Sequence, residues 1–331
     1  IEVIEGGSVH GLVAAQDRHR VIGVSIQRAG ATGTEALKAD YVVDATGRAG
    51  HAGRWLETLG YGRAPESTVR IDLTYVSRCY ERPNAVESAG NILVMTPPEG
   101  RRGGVAFAIE GNRWIVTLVG FVGEVPPSDE PAYREYARSL PASDIYDIVS
   151  TSQAIGEPSV FKFPSNLRRH YERCKRFPDG FLVIGDALTS FNPAYGQGMT
   201  VAALEAETLE ACLARATSTD GLARRFFKAV KPVIDVPWMI TTGEDMRYPE
   251  AEGKRPPLHD TINAYFTRVH HAAAVDPVVC KAFMRVASFE APPTAMFAPN
   301  IVWRALRGAR RFRTQAQTAI RVGAGPVVRR A

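Results

Sequence analysis

The residues best placed to do chemistry lie in "GDALTSFNPAYGQGMTVAALEAETL", residues 185–209. An apolar run, Phe181-Leu182-Val183-Ile184, ends at Gly185-Asp186, and a helix-like pattern begins behind Gly196-Gln197-Gly198. Such a run, bounded by turn signals, suits a strand buried on both faces of a largely parallel sheet, and ligands bind beyond the carboxyl ends of strands in sheets of that kind. A lone carboxylate there, Asp186, can accept hydrogen bonds from the hydroxyls of a ribose-like or ribityl-like chain. Gly196 and Gly198 leave bare backbone against which a flat ligand can lie. The following helix turns its free N–H groups and positive dipole end toward the same spot, which favours a ligand that becomes anionic during its reaction.

A second strand end is visible in "ADYVVDATG", where Tyr41-Val42-Val43 breaks at Asp44-Ala45-Thr46-Gly47. Both ends are expected in one layer, although about 140 positions separate them. No convincing nucleophile–base–acid triad is visible. His270 and His271 are adjacent and so point different ways on a helix, which argues against a shared metal. Arg168, Arg169 and Tyr171, before the Gly-Asp strand, could reach a ligand there but read better as a surface face.

The elements that must position these residues follow from patterning. "IEVIE", "VIGVSIQ" and "ADYVVDATG" read as short strands. Residues 69–121 carry "VRIDLTYVSRCY", "NILVMTP", "GVAFAIE" and "RWIVTLVGFV", with joining turns "PEGRRGG" and "EGNR", the pattern of an antiparallel sheet. Tyr75, Phe107 and Phe121 are its candidate apolar pocket residues. Helices are expected near Ala132–Leu140 and Ala142–Ser150, then a strand at "EPSVFKF". Beyond Gly198, Ala202, Ala206, Leu209 and Leu213 fall on one helical face, with Glu205 and Glu210 elsewhere. From Leu222 the pattern is mostly helical. In "IVWRALRGARRFR", residues 301–313, Val302, Leu306, Ala309 and Phe312 share a face, with Arg304, Arg307 and Arg311 on another; a helix of this kind can pack on its own domain or lie on an anionic membrane.

The fold class expected is α/β with an α+β insert: a partial Rossmann-like layer over 1–62 and 179–221, an antiparallel-sheet substrate domain over 63–178, and a C-terminal helical region over 222–331. The 331 residues, 45% hydrophobic and 23% charged, suffice for a sizeable core. The net charge of +5 is dispersed except near the C-terminus and gives no nucleic-acid-binding stripe. Four scattered cysteines without a Cys-x-x-Cys point to reduced thiols in a cytoplasmic protein, possible membrane contact being peripheral. No apolar run reaches the roughly 18 residues a spanning helix needs.

"GFLVIGDALTSFNPAYGQGMTVAALEA" resembles the second flavin-binding motif of FAD-dependent monooxygenases built like aromatic hydroxylases, most closely the squalene-epoxidase-like branch. "ADYVVDATGRAGHAGRWLETLGY" resembles the other mid-chain motif of that superfamily. The resemblance runs from Ile1 to about Arg215 and implies FAD as cofactor. It implies that Asp186, with Gly185, contacts the ribityl and pyrophosphate region. Pro193, Gly196, Gln197, Gly198 and Met199 would line the isoalloxazine, and Thr46, Gly47 and Arg48 would lie on the cofactor-facing side of the other strand. It further implies a flavin C4a-hydroperoxide that delivers oxygen from O2 to an apolar substrate of the polyene or isoprenoid type, with NAD(P)H or a reductase as electron donor. The family's Gly-x-Gly-x-x-Gly does not occur in these residues, and the chain begins mid-pattern, so a preceding βαβ unit is expected to complete the site and the chain alone would form half of it. Two alternatives stand beside the epoxidase or hydroxylase: an isoprenoid double-bond reductase like the geranylgeranyl reductases, and a non-catalytic fragment.

Overall fold

The computed structural model describes residues 1–82, 90–94 and 100–321, those after 312 by backbone alone. It divides into two compact units, Ile1–Gly253 and Lys254–Ala331, so the long helix after Leu222 belongs to the first unit and not with the tail.

The first unit opens with a three-stranded antiparallel sheet, β1 (Ser8–Ala14), β2 (Val21–Gln27) and β3 (Glu35–Lys38). "IEVIE" is not a strand: Ile1 and Val3 are exposed and the first strand begins at Ser8, because alternation alone supplies no neighbour to pair with. β4 (Val42–Asp44) then leads into α1 (Ala52–Thr58).

The antiparallel sheet is built from β5 (Glu66–Glu81), β6 (Ile92–Val94), β7 (Arg102–Ile109) and β8 (Arg113–Gly120), followed by α2 (Glu130–Arg138), α3 (Asp144–Thr151) and β9 (Ala154–Arg169). The first two residues of the "PEGRRGG" turn and the end of "NILVMTP" lie outside the described residues. Asp129 accepts a hydrogen bond from the Ala132 N–H at 3.0 Å and starts α2, a cap that stabilises by about 1 kcal/mol. One face of the sheet, Val76, Tyr80, Trp114, Val116 and Leu118, is sealed by Tyr133, Tyr136, Ala137, Ile145 and Val149 of α2 and α3. The alternate residues face the other way and are less covered.

The chain returns through β10 (Phe181–Val183) and β11 (Thr189–Ser190) to α4 (Gly198–Ala214) and α5 (Leu222–Asp245). β10 pairs in parallel with β4, Val183 opposite Asp44, bringing the two strand ends side by side. β11 pairs with β9, placing the segment after Asp186 at the edge of the six-stranded antiparallel sheet, whose order is β11-β9-β5-β8-β7-β6.

The second unit contains α6 (His259–Ala273), α7 (Pro277–Ala287) and α8 (Pro299–Arg321). α8 buries Ile301, Ala305, Gly308 and Ala309, while Leu306 is 45% exposed. The apolar face expected from Val302, Leu306, Ala309 and Phe312 is therefore rotated. Small residues win there because α6 approaches closely: a Cβ on Gly308 would lie 2.8 Å from that of Ala272. No described helix is long and apolar enough to cross a membrane.

Candidate functional site

The paired ends of β4 and β10 carry two carboxylates in different states. Asp44 is buried; its Oδ1 accepts the Thr46 N–H at 2.9 Å and the Thr46 hydroxyl at 2.5 Å, and its Oδ2 has no hydrogen-bond partner among the described residues. Thr46 is exposed, and Gly47 follows in the left-handed region with open space where a Cβ would be. Asp186 is exposed and bonded by the Ser190 hydroxyl at 3.1 Å. It lies beside the start of α4, since a Cβ on Gly198 would stand 3.8 Å from its Oδ1.

A third carboxylate, Glu205 on α4, sits behind this turn. Its Oε2 accepts the Gly185 N–H at 2.5 Å, its Oε1 is unpartnered, and it is fully buried. Burial pushes its pKa up to about 7, with the nearby Asp186 adding to the rise against the Gly185 bond. The expected face of α4 is thus corrected: Ala206 and Leu213 are exposed, and Val201 and Glu205 are the buried residues. Helical periodicity could not show this, because the partner that draws Glu205 inward is a backbone N–H 20 residues away.

The segment Asn192–Gly198 is held by another buried carboxylate. Asp245 at the end of α5 accepts Asn166 Nδ2 at 2.5 Å, Asn192 Nδ2 at 2.7 Å and the Tyr195 hydroxyl at 2.9 Å. Asn166 Oδ1 in turn accepts the Asn192 N–H at 2.7 Å, and Gln197 Oε1 accepts the Thr241 hydroxyl at 2.8 Å. Burial raises Asp245 to about 6 even against three donated bonds. Gln197 therefore points into α5, and Pro193, Gly196 and Met199 stand exposed, Met199 at 87%. Gly185 and Gly196 adopt φ of +61° and +68°, conformations that glycine takes without steric cost, and neither has an atom within 4 Å of where a Cβ would be. Gln197 provides no side-chain cap to α4, so the first N–H groups of the helix are open.

The other sequence candidates divide. Arg48 donates to Ser165 O and Oγ at 2.5 and 2.7 Å and lies over the Phe163 ring, so it is directed at β9; burial and then Arg169 lower its pKa. Arg168, Arg169 and Tyr171 are not a surface face. Arg168 is buried against Asp235 at 2.8 Å, Arg169 donates to Ala187 O at 2.8 Å and Arg48 O at 3.1 Å, and Tyr171 stacks on Phe227. Arg169 thereby fastens the Asp186 turn to the Arg48 backbone. A Ser67–His170–Glu172 chain, with bonds of 2.8 and 2.9 Å, clasps β5 to β9 and was not legible in the sequence. In the second unit, His270 packs on Phe283 and His271 on Phe312, so the rings face different helices.

Tyr75 and Phe107 share the sheet face opposite α2 and α3, by the register Tyr75↔Val119 and Phe107↔Ile115. Tyr75 stacks on Phe161 at 5.4 Å, and Phe107 and Phe161 are exposed. Phe121 is core, stacked on Tyr248 and only 2% exposed. Ala194 packs against that same cluster, so the segment after Asp186 abuts the sheet.

The arrangement fits a flat cofactor with a polyhydroxyl chain: an exposed acceptor at a strand end, an uncapped helix start, and bare glycine backbone between them. No protein-family model matches the chain. It is 30% identical over 275 residues to Protein Rv3254 of Mycobacterium tuberculosis (strain ATCC 25618 / H37Rv), covering 81% of this chain, and spans 58% of the length of that relative. Among solved structures it is similar to a flavoprotein/dehydrogenase from Cytophaga hutchinsonii, with TM-score 0.62, 13% identity, and 93% of this chain and 69% of that one covered. The flavin-dependent brominase Bmp2 gives TM-score 0.57 at 13% identity, covering 95% and 70%. OxyS anhydrotetracycline hydroxylase from Streptomyces rimosus gives 0.53 at 17%, covering 86% and 52%. The chain has the fold of these solved structures, a mixed α/β layer with an inserted antiparallel sheet.

Proposed function

We propose that this protein is an FAD-dependent monooxygenase, an epoxidase or hydroxylase that places one atom of O2 on an apolar, polyene or isoprenoid type of substrate, with electrons from NAD(P)H or a reductase. The observation that carries this reading is the exposed Asp186 carboxylate beside the uncapped start of α4, in a segment that leaves bare glycine backbone at Gly185, Gly196 and Gly198. The 30% identity to Protein Rv3254 and the shared flavoprotein fold support it.

When bound, the flavin supplies the redox and oxygen chemistry. The residues of this chain hold and orient it. Asp186 accepts hydrogen bonds from ribityl hydroxyls. The N–H groups at the start of α4 stabilise negative charge on the ring, a contribution that grows where water is excluded. The Asp245 cluster fixes the backbone of Asn192–Gly198 against the antiparallel sheet. The half-open face with Tyr75, Phe107 and Phe161 walls an apolar substrate and keeps water away. A Gly-x-Gly-x-x-Gly unit, as in the family, would hold the pyrophosphate.

The test is made on the protein expressed from its complete reading frame. The expected result is a flavin absorption spectrum and substrate-dependent O2 uptake coupled to NAD(P)H oxidation. Saturation of alkenes without O2 uptake would replace the monooxygenase with a reductase, and a colourless protein that does not take up FAD would overturn both.

A further inference from the structure

In the second unit, the turn between α6 and α7 and the outer side of α8 enclose a cleft of about 210 Å³ lined by Asp276, Trp303, Arg304, Arg307, Gly308 and Arg311. Positions 304, 307, 308 and 311 recur at helical spacing, which turns three guanidinium groups into one cleft. Only one carboxylate faces them, and both its oxygens are engaged: Asp276 accepts the Val278 N–H at 2.9 Å, capping α7, and Arg304 Nη1 at 2.9 Å. Arg307 lies over the Trp303 ring at 5.1 Å from its centroid, with no carboxylate paired to it among the described residues. Arg311 also makes no ion pair among the described residues. The cleft thus holds two cations in excess of its anion, and like charges one helical turn apart repel each other.

We propose that this cleft binds a phosphomonoester dianion, carried either by a free small molecule or by a lipid headgroup, through Arg307, Arg311 and the Arg304 that Asp276 holds in place. Two negative charges match the excess of two positive ones. Guanidinium forks meet phosphate oxygens in a planar, two-bond geometry, and the stacking on Trp303 orients Arg307 before a ligand arrives. A cleft of about 210 Å³ has room for a phosphoryl group, with the rest of its ester outside in solvent or bilayer. Trp303, 58% exposed in the lining of the cleft, can touch the apolar part of an ester or the interface of a bilayer. This inference does not rest on the flavin reading.

The experiment compares the complete protein with Arg307→Gln/Arg311→Gln and with Lys254→Gln/Lys281→Gln, which removes the same charge from elsewhere in the unit. One arm titrates glycerol phosphate by calorimetry in low salt. The other sediments the proteins with phosphatidylcholine vesicles with and without phosphatidic acid. A free ester as ligand gives calorimetric binding weakened at least tenfold in the arginine variant and retained in the lysine variant. A headgroup gives sedimentation only with phosphatidic acid, lost in the arginine variant alone. No binding in either arm, or equal losses in the two variants, overturns the proposal.

Discussion

Glu205 and Asp245 are both buried carboxylates, on neighbouring helices, gripping opposite ends of the segment that follows β10, yet they do so by opposite means. Asp245 spends both oxygens on three side-chain donors from β9 and the Asn192–Tyr195 turn. Glu205 takes a single backbone N–H and leaves one oxygen unpartnered. A carboxylate whose two oxygens both face donors is specified as a double acceptor, whereas one facing a single donor needs only one acceptor, and a neutral amide can replace it. The comparison separates a joint that needs both carboxylate oxygens as acceptors from one that needs a single acceptor.

The largest expected effect comes from Asp245→Asn. The new amide keeps one oxygen, so its NH2 group would face either Asn166 or the Asn192 and Tyr195 pair, leaving at least one buried donor without its acceptor and costing about 3 kcal/mol, read as a lower urea midpoint. The same isosteric change at Glu205 should behave differently. Its folded pKa of about 7 lies above its unfolded value, so the folded state holds the proton more tightly and stability falls as pH rises through the window from roughly 4.5 to 7. Glu205→Gln should therefore equal or exceed the wild type at pH 8, by about 1 kcal/mol, and lose the part of the pH dependence that lies nearest pH 7. Denaturant melts at pH 4.5, 6 and 8 check both statements; a loss of stability in Glu205→Gln at pH 8 as large as that of Asp245→Asn would erase the distinction. Between roughly pH 4 and 6 the raised pKa of Asp245 also makes stability fall with rising pH, and this should persist in Glu205→Gln. The smallest effect is expected from Tyr195→Phe, which removes one of three donors and should cost about 1 kcal/mol in the same melts.

The two regions also differ in how far the sequence discloses them. The Asp186 end of β10 was legible because everything that defines it is local: an apolar run, a Gly-Asp break, glycines and a helix start within about fifteen residues. The antiparallel strands were legible by alternation and turns, and Tyr75 and Phe107 do share a face. Asp245 could not be found this way, since its partners lie 79, 53 and 50 positions away and nothing in "GED" distinguishes a buried carboxylate from a solvated one. Glu205 misled for a related reason. On α4 the alanines that look like a packing face are partly exposed, and the charged residue is inside because a turn from another strand supplies its hydrogen bond. α8 misled through size: Leu306 is more apolar than Ala305 and Gly308, but only small residues allow α6 to come so close.

The central claim, that the exposed carboxylate of Asp186 holds a flavin's hydroxyl chain, is tested most directly by FAD titration of the protein expressed from its complete reading frame, in parallel with Asp186→Ala, following flavin fluorescence. Asp186 has a single side-chain donor, Ser190, and is exposed, so the variant should keep the wild-type melt. The expected result is at least a tenfold weaker affinity for FAD in Asp186→Ala with folding intact. Equal FAD affinity in the two proteins would contradict the claim.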